Sequence, residues 1–442
     1  MDKIVPEFYR RYGMHVNYFR MIPLSIDGLK PVERRTLLSA YDIARDKLTK
    51  CAKLDGYCIG NYHPHGSVYG TIVQMVKQGF LDGQGNFGTE IGVDPCGPAA
   101  MRYTEVKLNK EFHDMVFRLV KYVPWKDGEM AGDKEPVFLP TMLPICLLGK
   151  TYTQGIGFGY KTLIPCYHKE DLLNRLLFLK GKRKTKTIIK PVTDCDILST
   201  DSELEVLLTT GKASIKVKGK ITLEPHLSKI KLHSWPMGKS FEALINNKKI
   251  SEYLASSDIG YQDLSYDDKT EIVFEVLKQR NRDLIYKTFV KDLEAAITGT
   301  VSFDTIVITN DDSGNPVVTP MSIDNMLLNT YTMYTDINKI MLENEKQNIL
   351  NSIEEYKNLI SIRPHLANEI KNKIINIDET MKRISDSSKV LITEVKKLFM
   401  KYNINKLLTL DVDEVGMEAE VKYYQNKLDN LETYVTDQYQ KR

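Results

Sequence analysis

The sequence predicts an α+β multidomain fold that finishes in a long antiparallel coiled coil, and three observations predict it. Residues 1–80 carry helical patterns separated by turns. Between about 160 and 320, short alternating stretches such as "SIKVKGKITL" and "TIVITNDD" mix with helices. After about 322 glycine almost vanishes and long helical patterns take over.

In chain order, a first helix is expected to run to about Phe19 and a second from Val32 to about Leu48, opened by a proline suited to a first helical position. A third spans Ser67 to about Lys77. Residues 82–98, "DGQGNFGTEIGVDPCGP", read as loop. In "GKASIKVKGK" (211–220) a strand would place Lys212, Ser214, Lys216, Lys218 and Lys220 on one face and Ala213, Ile215 and Val217 on the other. Toward the end, Val421, Tyr424, Leu428, Leu431 and Val435 recur at heptad spacing, and Ile349, Ile353, Tyr356 and Ile360 supply an earlier helix of similar character. The two are expected to run out and back around a small helical knot, with a simple helical bundle as the alternative.

With 442 residues the chain has room for two or three domains. No stretch offers the ~20 apolar residues of a membrane span, and "MDKIVPEFYRRYG" lacks the apolar core of a secretory signal. Six dispersed cysteines without a CxxC pair read as reduced, packed thiols. Net charge is only +3, so a polyanion surface must come from local gathering of cations. "KPVERR" (30–35), "KGKRKTKTIIK" (180–190) and the 211–220 strand supply three such clusters, which favours a nucleic-acid partner.

Several motifs carry less than their letters suggest. "GQGNFG" (83–88) matches GxGxxG, but "TEIGVDPCGP" cannot open the helix that a dinucleotide site requires. "LLGKT" (147–151) and "PMGKS" (236–240) lack the first glycine of a P-loop. "DVDE" (411–414) pairs carboxylates but reads better as a helix cap than as a metal site. "HPH" (63–65) has no third ligand at zinc spacing, which leaves contact with phosphate as its function.

"AAMRYTEVKL" (99–108) is different. A tyrosine can attack a phosphodiester to give a phosphotyrosine and a free hydroxyl that later reverses the step. A phenol of pKa near 10 needs help, and charge developing on phosphate needs cations. Arg102 beside Tyr103, with Lys30, Arg34, Arg35, His63 and His65 upstream, would supply them.

"YGMHVNYFRMIPLSIDGLKPVERR", "NYHPHGSVYGTIVQM", "LDGQGNFG" and "AAMRYTEVKL" follow one another in the order and approximate spacing of the breakage–reunion subunit of type IIA DNA topoisomerases. The chain resembles the gyrase A and topoisomerase IV A family, densely over 12–110 and more loosely through "GIGFGYKTLIP" (155–165), "TTGKASIKVKG" and "VSFDTIVIT" (301–309). Ending just after the coiled coil, it is most similar within that family to the medium subunit of tailed-phage DNA topoisomerases.

The resemblance implies a winged-helix DNA-cleavage domain over 1–160, an α/β tower over 161–320, and a coiled coil with a helical dimer gate over 321–442. It implies Tyr103 as nucleophile and Arg102 as its transition-state partner, with Arg20 among the catalytic residues. Arg20, Lys30, Arg34, Arg35, His63 and His65 sit where the family grips the scissile phosphate and its neighbours. The helix from Ser67 to Lys77 matches a DNA-contacting helix, and Lys216 and Lys218 extend the DNA surface. Ile164, before Pro165, matches the residue wedged between base steps. No "EGDSA" with a downstream DxD and no ATPase domain occur in the sequence. Mg²⁺ and ATP are therefore expected on a Toprim/ATPase large subunit, joined to a homodimer of this chain in a 2:2 complex on double-stranded DNA, without a membrane, in the cytoplasm (the host's, if phage-encoded).

Two departures stand out. Glu33 replaces a usually basic residue. "HPHGSVYG" is two residues short and has Gly70 where an acidic residue is common, so fluoroquinolones are expected to trap cleaved complexes poorly. Only "TDQYQKR" follows the heptad seam, so relaxation and unlinking are expected rather than supercoiling. A tyrosine recombinase-like nicking enzyme and a non-catalytic DNA-binding coiled-coil protein are the alternatives. The first would carry its tyrosine near the C-terminus, and the second would leave no covalent adduct on DNA.

Overall fold

The computed structural model describes residues 4–441 apart from 90–91, 94, 130–131, 267–268, 312, 372–375 and 411–412. The chain forms two units, Met1–Tyr334 and Thr335–Arg442, so the segments 1–160 and 161–320 share one unit.

The first unit begins with α1 (Ile4–Val16), which continues as a π-helical turn over Asn17–Met21. Helix α2 (Pro31–Ile43) opens as expected on its proline. Lys30 is its N-cap, and the Glu33 carboxylate in the first turn accepts the Lys30 backbone N–H at 2.8 Å. Burial pushes the Glu33 carboxyl up. The residue that reads as a departure in a basic motif thus stabilises the start of its own helix. Helix α2 stops at Ile43, earlier than expected, because the chain turns into β1 (Thr49–Lys50) and pairs with β3 (Glu105–Leu108). Strand β2 (Leu81–Gln84) pairs on the other side of β3, giving the order β1-β3-β2.

Between them lies α3 (Cys51–Asn61), which the sequence did not announce because Gly56 and Gly60 dilute its helical pattern. Helix α4 (Tyr69–Lys77) starts two residues later than expected. Buried Asp55 of α3 accepts the Val68 N–H at 2.7 Å and the Ser67 hydroxyl at 2.8 Å. "GQGNFG" opens no helix: β2 ends at Gln84, and Gly88 holds φ +80° where a Cβ would meet the Cys96 carbonyl at 2.5 Å. The cysteines are free, all buried except Cys96.

Further along, an antiparallel five-stranded sheet orders Tyr152–Ile156, Lys161–Pro165, Thr298–Asp304, Lys212–Lys218 and Asp196–Ile197 side by side. The 212–218 strand alternates as read: Ile215 and Val217 are buried while Lys212, Ser214 and Lys216 are exposed. A four-stranded sheet (Ile221–Glu224, Lys229–Leu232, Ile272–Val276, Ile259–Asp263) packs Ile230, Phe274 and Ile272 against Phe289 and Leu293 of helix Arg282–Ala296.

The boundary between the units falls within one helix, Ile323–Lys371. In the second unit its later part runs antiparallel to Glu414–Asp429 and Leu431–Gln440. Lys357 meets Glu414 at 3.2 Å, Lys346 donates to Gln425, and Gln438 donates to Asn338 at 3.3 Å. The heptad seam is not continuous, however. Asn430 (φ −114°, ψ 35°) breaks it into two helices, leaving Leu431 and Val435 on the second. Ile360 is 48% exposed, and Leu359 and Ile362 take the core instead. A knot of three helices, Ile377–Ser388, Ile392–Lys401 and Ile404–Thr409, buries Ile384, Val395, Leu398 and Leu407. In "DVDE", Asp411 and Val412 lie outside the described residues, and Asp413 caps a helix through the Gly416 N–H at 2.9 Å.

Candidate active site

Tyr103 ends a turn over Met101–Tyr103 that leads into β3. The backbone there is tied to two helices. The Cys51 and Ala52 N–H groups at the start of α3 donate to the Thr104 and Met101 carbonyls at 3.0 and 3.2 Å. The Tyr69 hydroxyl of α4 donates to the Ala99 carbonyl at 2.5 Å and lies 3.1 Å from Thr104 Oγ1. Thr104 is fully buried, whereas the neighbouring Tyr103 side chain is thrown outward, 64% exposed. Its hydroxyl has no hydrogen-bond partner among the described residues, and the Arg102 guanidinium stands 4.6 Å from its ring centre. A rigid base with an exposed phenol and a cation beside it suits a nucleophile better than a packing tyrosine.

A second group gathers at a cleft of about 520 Å³ lined by Arg20, Lys30, His63, His65, Gln154 and Ile156 among others. Arg20 NH2 lies 3.2 Å from His65 Nδ1, and Arg35 NH1 lies 3.2 Å from His63 Nδ1. Arginine can only donate, so each imidazole presents a lone pair at Nδ1 and carries its proton at Nε2. Burial, then the nearby Arg35 charge, lowers the His63 pKa to about 4, so His63 is neutral at pH 7. Lys30 Nζ donates to the Gln154 carbonyl at 2.6 Å, which holds the ammonium at the cleft wall.

The two arginines of "KPVERR" part company. Arg35 is shared with carboxylates: Glu135 takes Nε at 2.7 Å and NH2 at 3.1 Å, and Glu129 takes NH2 at 2.9 Å. Arg34 does not reach the cleft. It is 8% exposed and forms a bidentate pair with Asp27 at 2.7 and 3.0 Å, so its expected phosphate contact is replaced by a structural ion pair. Ser67 is likewise engaged, with Asp55. On the 212–218 strand Lys216 is exposed, but Lys218 donates to Glu294 at 2.7 Å and is half-buried.

Ile164 is corrected outright. It sits within the Lys161–Pro165 strand with no exposed surface, opposite Thr153, and cannot enter a base step while that sheet is intact. Ile156, at the end of the partner strand, is 60% exposed and lines the cationic cleft. Gly155 before it allows a close approach, since a Cβ there would meet the Met21 carbonyl at 2.4 Å. Both isoleucines follow the same sheet-like letters, and only strand pairing distinguishes them. Glu129 and Glu135 also escaped sequence reading, because nothing in "DGEMAGDKEP" marks which carboxylates fold back onto Arg35.

The nucleophile and the cleft lie at opposite ends of α3. Tyr103 belongs to the turn that holds its first residues, and His63 follows its last turn, donating its N–H to the Cys58 carbonyl at 2.7 Å. Eleven helical residues span about 16 Å. That length sets the turn bearing Tyr103 apart from the start of the cleft within one chain.

The family model for the A subunits of DNA gyrase and topoisomerase IV matches residues 20–441. The chain belongs to this family. The DNA gyrase A protein of Clostridium acetobutylicum is 32% identical over 315 residues, covering 64% of this chain and 36% of that protein. Its Neisseria gonorrhoeae counterpart is 34% identical over 238 residues, 49% of this chain and 25% of that protein. The gyrase A protein of Helicobacter pylori J99 is 25% identical over 98% of this chain and 53% of its own length. The chain thus spans between a quarter and about half of these gyrase A relatives. Membership groups it with the A subunits of DNA gyrase and topoisomerase IV. No helix among the described residues is long and apolar enough to cross a membrane.

Proposed function

We propose that Tyr103 attacks a DNA phosphodiester and that the cationic cleft receiving the phosphate belongs to the other chain of a homodimer. The observation that carries this reading is the separation of the exposed Tyr103–Arg102 pair from the Arg20–His63–His65 cleft by the length of α3. In the attack, the Tyr103 oxygen bonds to phosphorus and the bond to the 3′ oxygen breaks, leaving a 5′-phosphotyrosine and a 3′ hydroxyl. Arg102 and the cleft cations balance the charge that builds on the phosphate oxygens. Re-attack by the 3′ hydroxyl restores both the DNA and the phenol. Between the two steps a second duplex passes.

Among the described residues no group of three or more His, Cys, Asp or Glu could hold a metal ion, and the cleft is lined by cations. No step is therefore routed through a metal on this chain. Mg²⁺ and ATP belong, in this proposal, to a Toprim/ATPase partner in a 2:2 complex, of the kind formed by the medium subunit of phage enzymes in the cytoplasm of the host. Relaxed and supercoiled plasmids incubated with that complex and ATP separate relaxation from supercoiling.

Mixing chains tests the shared site. A heterodimer of a Tyr103→Phe chain and an Arg20→Ala chain should keep one complete site and nick one strand. Attack within each chain would leave the heterodimer no more active than Arg20→Ala alone.

Ile156 takes the wedge role in this proposal. Ile156→Ala should reduce bending of the cut segment, read by energy transfer in end-labelled duplexes, with stability changed by less than about 0.5 kcal/mol. Ile164→Ala should cost about 2–4 kcal/mol in denaturant unfolding and leave the bend of the folded fraction intact. The opposite pattern would return the wedge to Ile164.

A further inference from the structure

Glu129 lies in the turn of a hairpin formed by Trp125–Asp127 and Lys134–Pro136. The hairpin is closed by the Gly128 N–H donating to the Asp133 carbonyl at 2.9 Å. From there the Glu129 side chain reaches back to the cleft. Oε1 accepts from Arg35 NH2 at 2.9 Å, and Oε2 contacts His65 Nε2. Because His65 offers its Nδ1 lone pair to Arg20, its proton is on Nε2, and it donates to Glu129. One carboxylate therefore takes an arginine N–H and an imidazole N–H together. Those are the donors that a pair of phosphate oxygens would take.

Arg35 keeps a carboxylate partner without this contact, because Glu135 already pairs with it in bidentate fashion. The Glu129 and His65 side chains are about one-third exposed, 34% and 33%, whereas Glu135 is 8% exposed. Glu135 is thus the buried partner of Arg35, and Glu129 is a rim group that can leave. Burial pushes the Glu129 carboxyl up, but the Arg35 hydrogen bond and charge, with the His65 hydrogen bond, hold it below the usual range, so it is an anion at neutral pH.

We propose that Glu129 is a displaceable phosphate mimic: in the free protein it occupies the Arg35 and His65 donors, and a DNA phosphate must expel it to bind there. The proposal rests on the cleft's role in the DNA-cleaving reading and adds to it an internal competitor. Its consequence is discrimination. Weakly held or poorly placed DNA fails to displace the carboxylate, and only a segment seated on the remaining cations opens the cleft.

The test is fluorescence anisotropy of a labelled duplex with the full chain at several salt concentrations. Glu129→Ala should bind about threefold to fivefold tighter than wild type at low salt, the upper part of the range expected for releasing a partly exposed ion pair, and the gain should shrink with added salt. Glu129→Gln, which keeps an acceptor but loses the charge, should fall between. Asp127→Asn is the control: its carboxylate is on the same hairpin, 90% exposed and paired with Lys134, away from the cleft. It should change affinity less than about twofold. Equal gains from Glu129→Ala and Asp127→Asn would reduce the effect to general charge and overturn the proposal, as would a loss of affinity in Glu129→Ala with an unchanged melting curve. Covalent DNA trapping by the wild-type chain with its Toprim/ATPase partner and Mg²⁺ is run alongside. Adducts without an affinity gain in the variant would sink the mimic alone, whereas absence of adducts would sink the cleavage reading itself.

Discussion

Tyr103→Phe should abolish covalent attachment to DNA while leaving noncovalent binding within about twofold of wild type. The substitution deletes one hydroxyl that bonds to no described residue, so nothing in the turn should shift. Ala52 and Cys51 still hold the backbone, Tyr69 still buttresses it, and the Arg102 guanidinium keeps an aromatic face to stand over. The cleft at the far end of α3 is untouched, and in the proposed reading it supplies the salt-dependent part of affinity. Denaturing the reaction and scoring DNA that carries protein reads the outcome. Adducts that survive in the variant would move the nucleophile to another exposed tyrosine, with Tyr9 and Tyr12 the first to try. Loss of both adducts and binding would instead make Tyr103 a DNA contact.

The candidate site residues were legible because their letters are unusual: an arginine–tyrosine pair after a glycine-rich loop, and two histidines around a proline. The structure keeps Tyr103 exposed and brings Arg20, Lys30, His63 and His65 to one cleft. What the letters do not carry is the identity of each charge's partner. Arg34 and Arg35 are adjacent, yet one turns inward to Asp27 and the other toward Glu135, His63 and the cleft. The same limit hid Ile156. An isoleucine before a proline and one after a glycine look alike until strand pairing buries the first and ends at the second. Helix α3 was missed for a different reason. Its two glycines lower intrinsic helicity, and packing against α2 and α4 overrides that preference. In the second unit the heptad spacing is present, but spacing alone cannot register that Asn430 leaves the helical region.

Arg34→Ala should destabilise the first unit by about 3–5 kcal/mol, the usual cost of stripping one partner from a buried ion pair. Asp27 has no exposed surface and accepts four hydrogen bonds. Two come from Arg34, one from the Leu29 N–H at 3.0 Å and one from the Leu139 N–H at 3.0 Å. Arg34 also donates to the Leu29 carbonyl at 3.2 Å. The pair therefore joins the start of α2 to the segment around Leu139 and to the turn before Lys30. Removing the guanidinium leaves a carboxylate in a site closed to water, with backbone donors satisfying only part of its charge. Asp27→Asn combined with Arg34→Met should cost less than either single change, because no charge is then stranded. Chemical unfolding of the four proteins measures the cycle, and anisotropy with a duplex on the folded fractions measures DNA affinity. Lys30→Ala is the contrasting variant: its ammonium lines the cleft, so it should weaken DNA binding and lower the salt dependence with little change in stability. Should Arg34→Ala instead keep its stability and lose affinity as Lys30→Ala does, Arg34 would be a phosphate ligand after all, and the pair with Asp27 would have to open when DNA binds.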